Sequence, residues 1–432
     1  MRGERVVLDR LKDQIGRRQD ELIGLTRDLV AFPTVNPPGE AYMECAEHLG
    51  ERLRRRGFEV RYIRGEGTPG DSERYPRTNV LARFETGRPG PCIHFNGHID
   101  VVTAGLGWTR DPFGGEVADG RIYGRGTCDM KAGIAAAVIA AEALVDSGIG
   151  LCGAIEISGT VDEESGGFGG VAYMARQGLF SRPRVDHVII PEPLNVDRVC
   201  IGHRGVWWAE ITTHGRIAHG SMPFLGDCAI RHMGAFLERV EHELLPALAA
   251  RRTAMPVVPE GARASTLNIN AIHGGMGEDH DGLMSPCVPD SCRLTIDRRF
   301  LPEESLDEVR GEVVGILDEL RRSRPGFDYA IEELMTVLPV LADRDAPVPR
   351  AVSRAIETIL HRRPEIICSP GTYDQKHISR IGHLHDCVAY GPGILDLAHQ
   401  PDEYVIIEDL VHSAQVMALA TLELMGHPLA IR

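Results

Sequence analysis

Three apolar, strand-like runs in this chain each stop at histidine or carboxylate side chains. Ile93-His94-Phe95-Asn96 leads into His98 and Asp100. Ala154-Ile155-Glu156-Ile157 continues through Val161 to Asp162-Glu163-Glu164, and Val188-Ile189-Ile190 leads through Pro191 to Glu192. In an open α/β sheet, ligands and catalytic groups collect in the crevice beyond the carboxyl ends of the strands. A chain built this way is constrained to a fold in which those ends meet. With Asp129 and His399, the residue types gathered there point to a divalent metal used in hydrolysis.

At 432 residues the chain exceeds one simple core, which predicts two domains. A formal charge of −15 leaves no basic stripe to neutralise phosphates, so nucleic acid is not an expected partner. A small anionic substrate stays compatible, because one well-placed arginine can bind a carboxylate. The ten cysteines are scattered without a C-x-x-C pair, a pattern that suits reduced thiols in a cytoplasmic enzyme. Cys128, beside Asp129, reads as a small packing residue. The N-terminus runs into a charged amphipathic stretch, Leu8–Phe32, and not a signal peptide. The longest apolar run, Ala132–Val145, is shorter than a membrane span and contains Glu142. It is expected to be a buried helix, and no membrane partner is expected.

Helical periodicity predicts helices over Leu8–Phe32 and Ala41–Arg56. Strands expected at Phe58–Ile63, Asn79–Phe84, Cys92–Asn96, Ala154–Val161 and Val188–Ile190 alternate with helices at Ala132–Val145 and near Gly170–Gln177. That alternation indicates an α/β domain with a mostly parallel sheet. After His203 the texture changes. Strands at Val206–Thr213, Thr266–His273, Ser291–Arg299 and Tyr329–Leu334, with helices at Asp227–Arg251 and Leu306–Arg322, give the ferredoxin-like order β-α-β-β-α-β. The expected division is therefore a discontinuous metal-binding catalytic domain, 1–203 and 338–432, with an inserted domain at 204–337. Gly/Pro-rich loops are expected at Gly65–Arg77 and Ile272–Pro289, and a closing helix at Ile407–Met425.

Metal-assisted hydrolysis needs ligands that fix the ion, an open position for water, and a base for the water's proton. His98 and Asp100 form His-x-Asp at a strand end, which suits a ligand histidine oriented by a carboxylate. Asp129 precedes the Ala-rich helix within Gly124-Arg-Gly-Thr-Cys-Asp-Met-Lys-Ala-Gly133. It reads as a bridging ligand or as a helix N-cap. Adjacent carboxylates such as Glu163 and Glu164 repel unless a cation or proton is shared. One can ligate while the other acts as general base, or both can belong to a solvated acidic loop. Glu192 lies between two prolines, as a ligand on a stiff loop or an ordinary turn would. His399, in Ala-His-Gln-Pro-Asp-Glu-Tyr, is the last candidate.

Taken together these segments resemble the M20 metallopeptidase and deacylase family, within it the acetylornithine deacetylase and succinyl-diaminopimelate desuccinylase branch. The resemblance spans essentially the whole chain. It rests on Asn96-Gly-His-Ile-Asp100, Gly124-Arg-Gly-Thr-Cys-Asp-Met-Lys131, Asp162-Glu-Glu-Ser-Gly166, Glu192-Pro193, Gly215-Arg-Ile-Ala-His-Gly-Ser-Met-Pro223, Asp297-Arg-Arg-Phe-Leu-Pro302 and His399-Gln-Pro-Asp-Glu403. It implies two divalent ions, usually zinc with cobalt or manganese as alternatives. Asp129 would bridge them, His98 and Glu192 completing one site and Glu164 with His399 the other. It further implies Glu163 as general base and Asp100 as the support of His98. The inserted domain would be a lid and homodimer interface, with His219 reaching a partner's active site to steady the oxyanion. Arg299 would grip a substrate carboxylate, with Arg298 beside it as the competing register.

The chain departs from the family at Pro286, where many members carry Asn, and in the substrate loop. That loop, usually Gly-Gly-Thr-Asp or Gly-Gly-Thr-Ser-Asp, is Pro370-Gly-Thr-Tyr-Asp-Gln-Lys-His377 here. Thr372 and Tyr373 are expected to bind substrate, and Tyr373, Lys376 and His377 either shape a pocket or stay outside as a polar loop. The expected activity is deacylation of an N-acyl amino acid or related small amide. A dipeptidase or carboxypeptidase, an N-formyl, N-carbamoyl or xenobiotic amide hydrolase, and a non-catalytic binding protein on the same fold are the alternatives.

Overall fold

The Ala-rich run after Asp129 has no polar face, and a helix apolar all round must be buried. It forms the helix Lys131–Asp146, buried from Lys131 to Leu144. It packs against the helices Ile407–Leu424 and Gln19–Val30 and the strand Cys92–His98. The computed structural model describes residues 2–275 and 286–427, and part of the loop expected at Ile272–Pro289 lies outside the described residues. Glu142, the charge inside this helix, is fully buried and held by arginines from outside the helix, Arg18, Arg52 and Arg56. Arg18 pairs with it, and Arg52 Nε and Nη2 each lie 2.9 Å from its oxygens. The stretch expected as one helix over Leu8–Phe32 is two, Arg2–Arg17 and Gln19–Val30. They break at Arg18 (φ −94°, ψ 14°), whose side chain is the one that reaches Glu142.

The contacts divide the chain into two compact units. One comprises Met1–Gly202, Leu341–Ile367 and Tyr373–Arg432, the other His203–Val340 with Cys368–Thr372. The larger unit holds a mixed sheet whose centre is parallel, with Ala154–Thr160, Cys92–His98, His187–Ile190 and Cys387–Ala389 side by side. Thr78–Glu85 and Glu59–Arg64 extend it on one flank and Arg198–His203 on the other, all antiparallel. Every residue of Cys92–His98 and Ala154–Thr160 is buried, as both-face coverage of a parallel sheet requires. His98 stands opposite Thr160 and Phe95 opposite Ile189. The residues that follow these parallel strands therefore emerge at one edge.

A small sheet of Glu116–Ala118, Arg121–Tyr123 and Tyr404–Ile406 was not anticipated from the sequence. Its hairpin turns at Asp119-Gly120, both with positive φ (50° and 72°), which is the Asp-Gly signature of a tight two-residue turn. Pairing with Tyr404–Ile406 brings the segment after His399 alongside the residues before Asp129.

In the smaller unit the antiparallel sheet has the order Thr266–Gly274, Ser291–Phe300, Gly205–His214, Asp328–Val337. With its helices this is the ferredoxin-like arrangement. Leu306–Ser323 starts with a capping box, Ser305 accepting from the Glu308 N–H and Glu308 from the Ser305 N–H. The long helix expected over Asp227–Arg251 is interrupted. Ala229–Arg239 and Leu245–Ala249 are α-helical, and Val240–Leu244 between them widens to a π-turn. Pro246 offers no N–H to a regular helical ladder, which accounts for the change of pitch.

The Glu142 cluster provides a test of the core. Glu142→Gln leaves three guanidinium groups, those of Arg18, Arg52 and Arg56, facing a neutral amide, so the unfolding free energy should fall by about 3 kcal/mol, measured by denaturant titration. A change below about 0.5 kcal/mol would contradict this account of the buried network.

Candidate functional site

The three parallel strand ends and two loops deliver their charged side chains to one place. His98 Nε2 lies 3.0 Å from Asp129 Oδ1 and 3.9 Å from Glu192 Oε1. His399 Nε2 lies 3.5 Å from Asp129 Oδ2 and 3.2 Å from the Glu164 carboxylate. Asp129 therefore turns one oxygen to each of two histidine–carboxylate pairs, His98 with Glu192 and His399 with Glu164. Ligand atoms of His98, Asp129 and Glu164 lie within 4.8 Å of one another, a separation that a metal ion could occupy.

The electrostatics express this crowding. Burial and the neighbouring Asp129 charge push Glu164 up to about 7, against the pull of His399. The same two causes hold Glu192 well above the ordinary carboxylate range. Burial alone would raise Asp129, but hydrogen bonds from His399 and His98 more than reverse it and leave it below its usual value. His399 rises to about 10 through its contacts with Asp129 and Glu164. Burial disfavours charge on His98, yet Asp129, Glu192 and Asp100 keep its pKa well above normal.

The backbone at Asp129 explains why its side chain faces the histidines. The helix Lys131–Asp146 has Met130 as its N-cap residue and no side-chain cap, so Asp129 is not serving as a cap. The turn is cradled by Glu403, whose Oε1 accepts the N–H groups of Gly126, Cys128 and Asp129 at 3.0, 2.8 and 3.1 Å. Arg125 pairs with the other Glu403 oxygen. Gly133 allows the helix to approach the third strand end, since a Cβ there would meet the Pro191 carbonyl at 2.0 Å.

Asp100 has a broader part than expected. The nearest acceptor to His98 Nδ1 is the Asp100 backbone carbonyl at 2.9 Å, the carboxylate being 3.6 Å away. The carboxylate instead accepts the N–H groups of Glu163 and Glu164, each at 3.2 Å, and Asn36 Nδ2 at 3.0 Å. It thereby couples the first strand end to the second. Asp162 and His399 both sit in the left-handed region (φ 65° and 64°), a conformation costing about 1–3 kcal/mol for such residues. Arg77 Nε and the Tyr42 hydroxyl, each 3.1 Å from the Asp162 carboxylate, hold the first of these in place.

The loop after Thr372 is part of this site and not an outlying polar segment. Tyr373, Asp374, Gln375 and Lys376 are buried. Lys376 Nζ donates to Glu163 Oε1 at 2.6 Å, and Asn96 Nδ2 donates to Asp374 Oδ2 at 2.9 Å. Burial and the Glu163 charge push Asp374 up to about 6. Tyr373, expected at the substrate, is 4% exposed, and its hydroxyl donates to Gln375 Oε1 at 2.7 Å. Thr372, half-buried, belongs to the smaller unit.

Also in the smaller unit, Arg298 is fully buried and pairs with Glu304 (2.7 Å) and Glu312 (3.2 Å). Arg299 is the partly exposed member, its fork held by Asp297 at 2.7 and 2.9 Å. His219 is exposed, with Nδ1 2.8 Å from Ser221 Oγ. Sequence reasoning missed Asn36, Asp374 and the cradle role of Glu403. Only Glu403 carried a signal, as the acidic residue of the His399 segment.

Known proteins place these features in context. Residues 94–423 match the family described as peptidase family M20/M25/M40. The chain is 29% identical over 398 residues to the succinyl-diaminopimelate desuccinylase of Dechloromonas aromatica (strain RCB), covering 90% of this chain and 95% of that protein. The structure of human carnosine dipeptidase 1 shares the fold with a TM-score of 0.78 at 20% identity, over 97% of this chain and 99% of that one. A Bacillus subtilis protein described as a dinuclear metal-binding peptidase of family M20 has a TM-score of 0.66 at 16% identity, over 95% and 99%. The family match runs from the strand that ends at His98 into the closing helix and so contains the whole cluster around Asp129: this chain is a hydrolase belonging to peptidase family M20/M25/M40.

Proposed function

We propose that the protein is a metal-dependent amidohydrolase that removes the acyl group from an N-acyl amino acid or a related small amide. The observation that carries this reading is Asp129 set between two histidine–carboxylate pairs, with a further carboxylate, Glu163, beside them. The relatives named succinyl-diaminopimelate desuccinylase support the substrate class.

The donor set fits two divalent ions. His98 and Glu192 would hold one, Glu164 and His399 the other, and Asp129 both. Imidazole and carboxylate donors suit zinc, with cobalt and manganese as alternatives. Cations would also relieve the crowding that raises Glu164 and Glu192. Such ions, when bound, lower the pKa of water and polarise a carbonyl. Glu163 takes the proton of the attacking water and delivers it to the departing nitrogen, a role generally worth about 10²–10⁴ in rate. Asp100 fixes the backbone of Glu163 and Glu164. Arg299 presents a guanidinium fork to the substrate carboxylate, in exchange for part of its hold on Asp297.

We also assign His219 of the partner subunit to the oxyanion, in a homodimer formed through the smaller unit. Supporting this, the edge strand Thr266–Gly274 exposes Ile269 and Ile272, beside the exposed Ile230. An apolar open edge is ordinarily covered. Among the described residues no helix is long and apolar enough to cross a membrane, and the cysteines are scattered along the sequence without a C-x-x-C pair. Both observations support a cytoplasmic location. A second reading, a dipeptidase of the same metal chemistry, draws support from the likeness to carnosine dipeptidase 1.

Metal-stripped protein reloaded with zinc, cobalt or manganese should release free amine from a panel containing N-succinyl-diaminopimelate and N-acetylornithine. Glu163→Gln should lower kcat by about 10²–10⁴-fold, and full retention of activity would defeat the mechanism. Preference for dipeptides across the panel would select the second reading. Metal affinity should also depend on pH. Below about 7 Glu164 holds a proton that competes with the cation, so binding followed by calorimetry should tighten as pH rises through 7, with proton release. Glu164→Gln should lessen that slope without abolishing it, because His98, His399 and Glu192 also give up protons on binding metal, and a wild-type affinity independent of pH from 6 to 8 would contradict the assignment.

A further inference from the structure

The loop Pro370–His377 is where the chain departs from its family's pattern, and the proposed reaction leaves Lys376 without a role. Its side chain is 3% exposed, with Nζ 2.6 Å from Glu163 Oε1. A buried ammonium–carboxylate contact of this length is a strong, charge-assisted hydrogen bond. Its neighbours make it directional. His377 Nε2 lies 2.7 Å from the Gly166 carbonyl, at the far end of the Glu163 turn. Gly167 sits so close that a Cβ there would be 3.0 Å from the His377 ring and 3.1 Å from Asp374. Asp374 in turn is tied to Asn96 on the strand that ends at His98. The loop thus grips the turn at a side chain, a carbonyl and a glycine, and is itself anchored to the strand that supplies a candidate ligand.

The remaining contacts of the turn act on its backbone. Asp100 accepts the N–H groups of Glu163 and Glu164, which sets the turn but leaves the Glu163 side chain free to rotate. Among the described residues, Lys376 is the group that holds that carboxylate.

We propose that Lys376 is a positioning residue for Glu163. Its ammonium donates to Oε1 and so fixes the carboxylate with Oε2 turned toward the reacting water; the Lys376 protons stay on Lys376 throughout. The inference rests on the reading of Glu163 as general base. Misplacing a reacting group by about 1 Å can cost on the order of 10² in rate, which sets the expected effect.

The test compares Lys376→Met and Lys376→Arg in the metal-loaded full chain. Methionine should lower kcat about 100-fold with KM changed less than about twofold. Arginine, which keeps a buried cation and a donor, should recover much of that loss. Metal content should match the wild type in both. Crystal structures of the metal-free proteins give a readout independent of turnover: Glu163 should hold one rotamer in the wild type and spread over several in Lys376→Met. Should methionine prevent folding, Lys376→Arg carries the test, with kcat expected to track the displacement of Glu163 in its crystal structure. A wild-type kcat in Lys376→Met, an effect confined to KM, or an unmoved Glu163 carboxylate would overturn the proposal. So would arginine displacing that carboxylate with kcat unchanged. Glu163→Gln separates the two levels. If it is inactive while Lys376→Met is fully active, the positioning role fails and the base stands; if it is active, the base reading itself fails.

Discussion

The central constraint on this molecule is mutual repulsion among carboxylates held in one buried place. Asp129, Glu164 and Glu192 share a small volume, and burial pushes the pKa of each of the three upward. Two histidines offset part of that charge, and the Asp129 carboxylate stays ionised because it faces both. Carboxylates gathered this tightly are costly unless a cation or proton is shared. The surrounding architecture can be understood as what is required to hold them there.

Rigid elements do that holding. Three parallel strands, buried on both faces, end at the same edge, and a fully apolar helix packs behind them. Between these elements, hydrogen bonds to backbone N–H groups set the loops. Glu403 cradles the Asp129 turn, and Asp100 fixes the Glu163–Glu164 turn. Both are buried carboxylates whose ligands are amides of the chain itself. The charged layer nearest the chemistry is therefore positioned by a second charged layer, and the apolar core is what keeps both in place.

Much of this was legible in the sequence because the signal was local. An apolar run followed by His98, Glu163-Glu164 or Glu192 names both a strand and what lies at its end. The ferredoxin-like order after His203 was equally visible in alternating and helical periodicities. What escaped was long-range or geometric. Lys376 and Glu163 are 213 residues apart and Asn96 and Asp374 are 278 apart, separations that no local pattern encodes. No local pattern shows that the Tyr373 hydroxyl turns to Gln375, two residues on. For Asp129, a helix cap and a metal ligand look alike in sequence, and the structure shows a helix with no side-chain cap and an Asp129 turned toward His98 and His399. The long helix expected over Asp227–Arg251 changes pitch over Val240–Leu244, just ahead of Pro246, because an apolar periodicity continues through a residue that lacks an N–H.

The most direct test of the account is anomalous diffraction from crystals of the full chain soaked in zinc. Two peaks are predicted on either side of the Asp129 carboxylate, one against His98 and Glu192, the other against Glu164 and His399. Absence of any peak in contact with Asp129, in crystals that bind zinc elsewhere, would contradict the claim that these carboxylates are gathered to hold metal.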